Sequence, residues 1–261
     1  MIPLKSQHEI EIMQVNGGIL SDVLEGVKLL AKPGASTLEL DQFAEDGIRR
    51  AGAVPAFKGY RGYKATLCCS INSEVVHGIP SSKRKLLEGD IISLDIGLKK
   101  DGLFADMAVT IPIGQVKSEV RNFLDVAEQS LWAGIRQVVP GNRLGDISNA
   151  VQRQAERHGY SVVRDYVGHG VGRQLHEEPV LPNFGPAKTG PRLEVGMVLA
   201  IEPMVNMGGY AVRVLDDGWT VVTVDGSLSA HFEHSVAVTE RGPMVLTNRS
   251  EVTNKGDVLP A

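Results

Sequence analysis

Two stretches of this chain carry the same punctuation a fixed distance apart. A shift of 107 residues lays Pro33-Gly34 on Pro140-Gly141, Gly52 on Gly159, Leu86 on Leu193 and Gly89 on Gly196. At the same shift Asp95 falls on Glu202. Pro-Gly pairs and lone glycines are common turn signals, and in the helical block alone they coincide by chance often enough. Agreement at one offset through both helical and strand blocks makes duplication the better account. An offset of 99 lays His77-Gly-Ile-Pro80 on His176-Glu-Glu-Pro179, and one of 129 lays Ala108-Val-Thr110 on Ala237-Val-Thr239. The copies therefore differ by compensating length changes, and the second carries an extra 22 residues around Trp219.

Each copy opens with two helices. Ser6 to Glu9 reads as a capping box leading into Ile10, Met13, Ile19, Leu20, Leu24 and Val27, a helical repeat stopped by Pro33-Gly34. Ser36 to Glu39 repeats the signal before Leu40, Phe43, Ala44 and Ile48, with Gly52 as the stop. The second copy predicts helices over 117–139 and 144–157, ending at Pro140-Gly141 and near Gly159. Strands are predicted over 65–71, 91–96, 103–110, 161–166, 197–201, 210–214, 220–224 and 235–239. Helix pairs followed by strands define an α+β chain. We expect a single catalytic domain over 1–261, with pseudo-repeat halves at about 8–112 and 116–240 sharing one sheet and one core.

Bulk properties narrow the partners. A net charge of −4 leaves no electrostatic footprint for sequence-specific nucleic acid binding, and no apolar run reaches the roughly 20 residues of a membrane helix. The first ten residues hold no apolar signal segment. Cys68 and Cys69 are adjacent, a poor arrangement for a structural disulfide, so a cytoplasmic location is expected.

Within this frame five side chains stand out. Asp101-Gly102 is a two-residue hairpin signal that pairs Lys100 with Leu103 and, counting back, Gly97 with Asp106. Asp95 then lies on the same face as Asp106, diagonal to it. His169 sits in Gly168-His-Gly-Val-Gly172 after a strand, where flanking glycines leave the imidazole unobstructed; the spacing is not that of a phosphate loop. Glu202 precedes Pro203, which marks a strand end. Glu233 precedes another apolar strand. Four carboxylates and an imidazole packed together need a cation. Without a thiolate the set suits Mn²⁺, Fe²⁺ or Co²⁺, with Zn²⁺ a weaker fit. The charge of four carboxylates favours two divalent ions, the arrangement of metal-assisted hydrolysis, in which a water of lowered pKa attacks a polarised carbonyl. No G-x-S-x-G elbow and no H-E-x-x-H occur, and His231-Phe-Glu233 starts like a zinc deaminase motif with no P-C-x-x-C behind it.

Together, His77-Gly-Ile-Pro, Leu94-Asp-Ile-Gly with Asp106 eleven residues on, Gly168-His-Gly-Val-Gly, Leu175-His-Glu-Glu-Pro, Ile201-Glu-Pro-Met and Phe232-Glu-His resemble the type I methionine aminopeptidases, over nearly the whole chain. The resemblance implies the pita-bread fold, a curved antiparallel sheet backed by helices in two pseudo-symmetric halves. It implies removal of the initiator methionine from nascent chains whose second residue is small. Asp95 would chelate one metal, Asp106 and Glu233 would bridge, and His169 and Glu202 would complete the second. Glu202 would also be the general base, while His77 and His176 would contact substrate and stabilise the tetrahedral intermediate. Phe57, Tyr60, Tyr63, Cys68, Leu175 and Trp219 would line the methionine pocket. Transient ribosome association and a monomeric state are further expectations. By the same rule a chain with Ile2 keeps its Met1. Many relatives carry Thr where this chain has Gly97, Thr or Ser for Met107, and Phe for Leu175. The nearest alternative is a proline-specific pita-bread peptidase, but those usually have a separate N-terminal domain. A type II relative would carry a long insertion between His176 and Glu202. A non-catalytic relative would not need all five ligands.

Overall fold

The computed structural model describes residues 2–248; Met1, with the expectation of its retention, and residues 249–261 lie outside them. Helix α1 spans Gln7–Leu30 and α2 spans Thr37–Arg50. Both capping boxes form: Glu9 accepts from Ser6 N at 2.8 Å and Glu39 from Ser36 N at 2.7 Å. Helix α3 spans Ser118–Ile135, four residues short of the expected end, and α4 spans Leu144–Glu156. Past Ile135 the chain tightens, with Gln137 N donating to Gly134 O and Val138 N to Ile135 O. Val138 stays fully buried, so the apolar periodicity outruns the helix.

Hydrogen bonds recur at the interval read from the sequence. Gly34 N donates to Leu86 O and Gly141 N to Leu193 O. The bridge Ser36↔Lys85 has its counterpart in Arg143↔Arg192. Gly34 and Gly141 both sit at φ near +90°, where only glycine is comfortable.

A nine-stranded antiparallel sheet runs through the molecule in the order Val54–Pro55, Ile91–Lys100, Leu103–Pro112, Glu233–Thr239, Val198–Ile201, Gly168–Gly170 and Glu177–Leu181. Leu67–Ile71 adds to Ile91–Lys100, and Gly242–Val245 adds to Glu233–Thr239. The expected hairpin forms, with Lys100 opposite Leu103, Gly97 opposite Asp106, and Asp101 and Gly102 both at positive φ. Leu67–Ile71 starts later than expected because Thr66 N and Leu67 N donate to the buried Asp41 carboxylate. The expected 161–166 strand shrinks to Ser161–Val162, after which the chain turns toward the site and sets Tyr166 against His77. The extra segment forms a hairpin, Val212–Val214 with Val221–Thr223, and pairs with Glu74–Val76.

The expectation of one core is corrected. Buried residues of α1 and α2 pack with Leu67, Leu94, Ile96 and Leu98, whereas those of α3 and α4 pack with Leu199, Ile201, Val236 and Val238. Each helix pair mainly covers the strands of its own part of the shared sheet, and the first-half hairpin joins the two, with Ile91 packing in the α3–α4 cluster and Val109 against both. A small third cluster, Met13 with Leu103, Val198 and Ala237, spans both parts.

Candidate metal centre and substrate pocket

The seam of the sheet places the acids. Ala108 pairs with Asp95 on one side and Glu233 on the other, so the two carboxylates flank a methyl group on one face. Asp106 lies two residues before Ala108 and joins that face. Only two positions pair directly across this seam, and Ser235 closes the gap: its Oγ donates to Asp106 O at 2.8 Å and accepts from Asp106 N at 3.2 Å. His169 lies in Gly168–Gly170 opposite Ala200, which itself pairs with Ser235, and Glu202 follows the end of Val198–Ile201. The backs of these strands are apolar: Leu94 and Ile96 are fully buried on the face opposite Asp95.

Asp106, His169 and Glu233 offer ligand atoms within 4.8 Å of one another, as do Glu202, His231 and Glu233. His169 Nε2 is 3.3 Å from Glu202 Oε1 and 4.0 Å from Asp106 Oδ2. His169 Nδ1 is 2.9 Å from Gly170 O, which orients the ring with Nε2 toward the acids. Burial drives all four carboxyls upward, Asp95 to about 7, and their mutual repulsion raises Asp106 and Glu233 further. Burial also lowers His169 to about 3 and His77 to about 4, so both imidazoles are neutral. Asp95 Oδ1, Asp106 Oδ1 and Glu233 Oε1 are buried without hydrogen-bond partners. Such groups are costly unless something charged meets them. An oxygen-rich set with a neutral imidazole, its lone pairs unspent, fits divalent cations.

His231 was not among the expected site residues. It is 1% exposed, with Nε2 3.5 Å from Glu202 Oε2. The signal was present: His231 and Glu233 alternate around Phe232, and side chains two apart in extended chain share a face.

Beside the acids a cavity of about 180 Å³ is lined by Phe57, Tyr60, Tyr63, Cys68, His77, Leu175, His176 and Trp219, and by Arg61. The structure thus brings together all thirteen residues singled out in the sequence around one cavity. Tyr63 packs edge-on to Trp219 at 5.1 Å, and its hydroxyl lies 3.2 Å from both Leu67 O and Gly78 O, which share its one proton. Cys68 is buried and its thiol is pushed well up by burial and by Asp95, so it is a wall and not a nucleophile. Gly97 faces the pocket side: a Cβ there would lie 2.9 Å from the Phe57 ring and 3.0 Å from Ala56 Cβ. Leu175 is buried in the pocket wall, while Met107 packs on the α1–α2 side of the sheet.

The two pocket histidines are held differently. His77 sits at φ +62°, with Gly78 N donating to Ser70 Oγ. His176 Nδ1 is 2.8 Å from the Tyr60 hydroxyl, and its ring lies tilted at 56° against that of His169, the centroids 4.2 Å apart. The loop carrying it is clamped by the N-terminal segment. Lys5 pairs with Glu177 with both side chains almost fully buried, and Arg173 pairs with Glu9. Glu177 also accepts from Gln174 N at 2.9 Å.

Fold and donor set together define a metallohydrolase built on a curved antiparallel sheet. Residues 11–240 match Metallopeptidase family M24, and the chain belongs to that family. It is 52% identical to methionine aminopeptidase 1 of Bacillus subtilis, over 95% of this chain and 99% of that one. It is 46% identical to methionine aminopeptidase 1 of Mycobacterium tuberculosis, covering 95% of each. The crystal structure of methionine aminopeptidase from Thermotoga maritima superposes with a TM-score of 0.93 at 44% identity, over 95% of this chain and 99% of that one. A prolidase from Pyrococcus furiosus shares the fold, with a TM-score of 0.75 at 22% identity, and this chain covers 66% of it. The architecture is the pita-bread fold.

Proposed function

We propose that this chain is a methionyl aminopeptidase that removes the initiator methionine when the second residue is small. The observation that carries the reading is the cavity itself, walled by aromatic rings and a thiol on one side and by the acid cluster on the other. Aromatic and sulfur-bearing walls suit a thioether. The whole of 1–261 acts as a single catalytic domain, with halves at 8–112 and 116–240.

Asp95, Asp106, His169, Glu202 and Glu233 would hold two divalent ions, of Fe²⁺, Mn²⁺, Co²⁺ or Zn²⁺, with Asp106 and Glu233 as the carboxylates that both ions would share. When bound, these ions supply a water of lowered pKa and polarise the scissile carbonyl. Glu202 accepts the proton of the attacking water at a carboxylate oxygen and passes it to the departing amine nitrogen as the C–N bond breaks. His77 and His176 face the substrate from opposite walls and stabilise the tetrahedral oxygen. The Tyr60 hydroxyl fixes the His176 ring for this task. The substrate is the N-terminal peptide of a nascent chain, met in the cytoplasm during transient ribosome association by a monomeric enzyme. Among the described residues no helix is long and apolar enough to cross a membrane.

The test is hydrolysis of Met-Ala-Ser, Met-Leu-Ser and Ala-Pro peptides after reconstitution with Fe²⁺, Mn²⁺ or Co²⁺. Methionine should be released from Met-Ala-Ser and far more slowly from Met-Leu-Ser. Cleavage of the proline substrate alone would overturn the assignment.

A further inference from the structure

We propose that His231 is itself a metal ligand, a sixth donor residue that forms, with Glu202 and Glu233, a second donor triad in the centre. This deepens the dinuclear reading above and rests on it. His231 is 1% exposed, and neither ring nitrogen has a hydrogen-bond partner. A neutral imidazole carries one N–H and one lone pair. Leaving a buried polar group unmet costs about 1–3 kcal/mol.

The distances discriminate between a hydrogen bond and shared coordination. Nε2 lies 3.5 Å from Glu202 Oε2 and 3.9 Å from Glu233 Oε2. Both exceed the roughly 2.7–3.2 Å of an N–H···O bond. Two donors held at about 2.0–2.2 Å from one ion stand roughly 3–4 Å apart, which is the spacing seen. The backbone that carries the ring is also held firmly. Thr110 Oγ1 donates to His231 O at 2.9 Å and accepts from His231 N at 2.8 Å, and Ser93 Oγ lies 2.8 Å from Thr110 Oγ1. The backbone at 231 is thereby pinned to the first-half hairpin, with the imidazole directed at the acids.

The result is a paired arrangement. His169 joins Asp106 and Glu233 in one triad, His231 joins Glu202 and Glu233 in the other, and Glu233 belongs to both. A second imidazole shifts preference away from Mn²⁺ toward Fe²⁺, Co²⁺ and Zn²⁺.

Proton NMR of the wild-type protein, stripped of metal and loaded with two equivalents of Co²⁺, tests this without any substitution. Two paramagnetically shifted imidazole N–H signals are expected; a single one, from His169, would overturn the proposal. In a calorimetric Co²⁺ titration, His231→Gln, which keeps an amide able to hydrogen-bond Glu202, should weaken one of the two equivalents by at least about tenfold. Unchanged affinity for both equivalents would mean that His231 only positions Glu202, and the proposal would fail. A wild-type protein that binds no Co²⁺ would instead overturn the dinuclear reading itself.

Discussion

The two halves supply the site in different ways. The first contributes Asp95 and Asp106 from one hairpin of two ten-residue strands, joined by a two-residue turn. The second contributes His169, Glu202 and the His231/Glu233 pair from around four strands of three to seven residues, in three segments spread over some 65 positions of sequence. In the first half local turn chemistry sets the geometry. In the second, geometry depends on pairings that form only once the whole sheet is assembled. The hairpin's register is set by adjacent residues, whereas the second half's donors are placed by pairings between distant segments.

The sharpest break in that arrangement is at Glu233, which pairs across the seam with Ala108. Glu233→Ala should lose metal stoichiometry together with turnover, measured by metal analysis and peptide hydrolysis on the same sample. Full metal retention would refute its bridging role.

The next largest effect is expected where the second half borrows support from the N-terminal segment. Lys5→Met leaves the Glu177 carboxylate buried without its cation, and breaking a buried pair costs about 3–5 kcal/mol. Urea unfolding should show that loss, with partial recovery in Lys5→Met/Glu177→Gln. A single-variant loss below about 1 kcal/mol would show that the clamp is not holding the His176 loop.

A third outcome concerns the acids of both halves together. In the metal-free protein their folded pKa values lie above the unfolded ones, Asp95 at about 7. The folded state then binds more protons at these sites, so their contribution to stability is fully present below about pH 4, the unfolded carboxyl range, and is lost as pH rises toward and past 7. Thermal unfolding of chelated protein between pH 5 and 8 should show this decline, and added metal should remove it. A flat profile without metal would mean that the acids do not repel one another.

The smallest effect separates the equivalent helix starts. Ser36 caps α2, whereas Arg143, its counterpart at α4, has no oxygen to offer. Ser36→Ala should cost about 1 kcal/mol and Arg143→Ala less. Equal losses by urea unfolding would show that the side-chain cap is not what distinguishes them.

This contrast also governs what was legible in the sequence. The Asp101-Gly102 turn fixed the register that brings Asp95 and Asp106 together, because hairpin geometry depends on adjacent residues. The capping boxes at Ser6 and Ser36 marked α1 and α2 for the same reason. The resemblance, and not spacing, supplied the pocket residues and the roles of His77 and His176. His231 stays hidden in the sequence because His231-Phe-Glu233 reads as the start of a deaminase motif and only two positions of strand alternation mark it. The Lys5–Glu177 clamp joins residues 172 positions apart, and no local pattern reports such a contact. The separate cores were equally hidden, since periodicity shows which face is buried but not against what.

The most direct test of the central claim, that side chains of both halves build one dinuclear centre, is turnover of Met-Ala-Ser against equivalents of Co²⁺ added to chelated protein. Activity should be absent without metal and reach its plateau at two equivalents. A plateau at one equivalent, or full activity in the chelated protein, would contradict it.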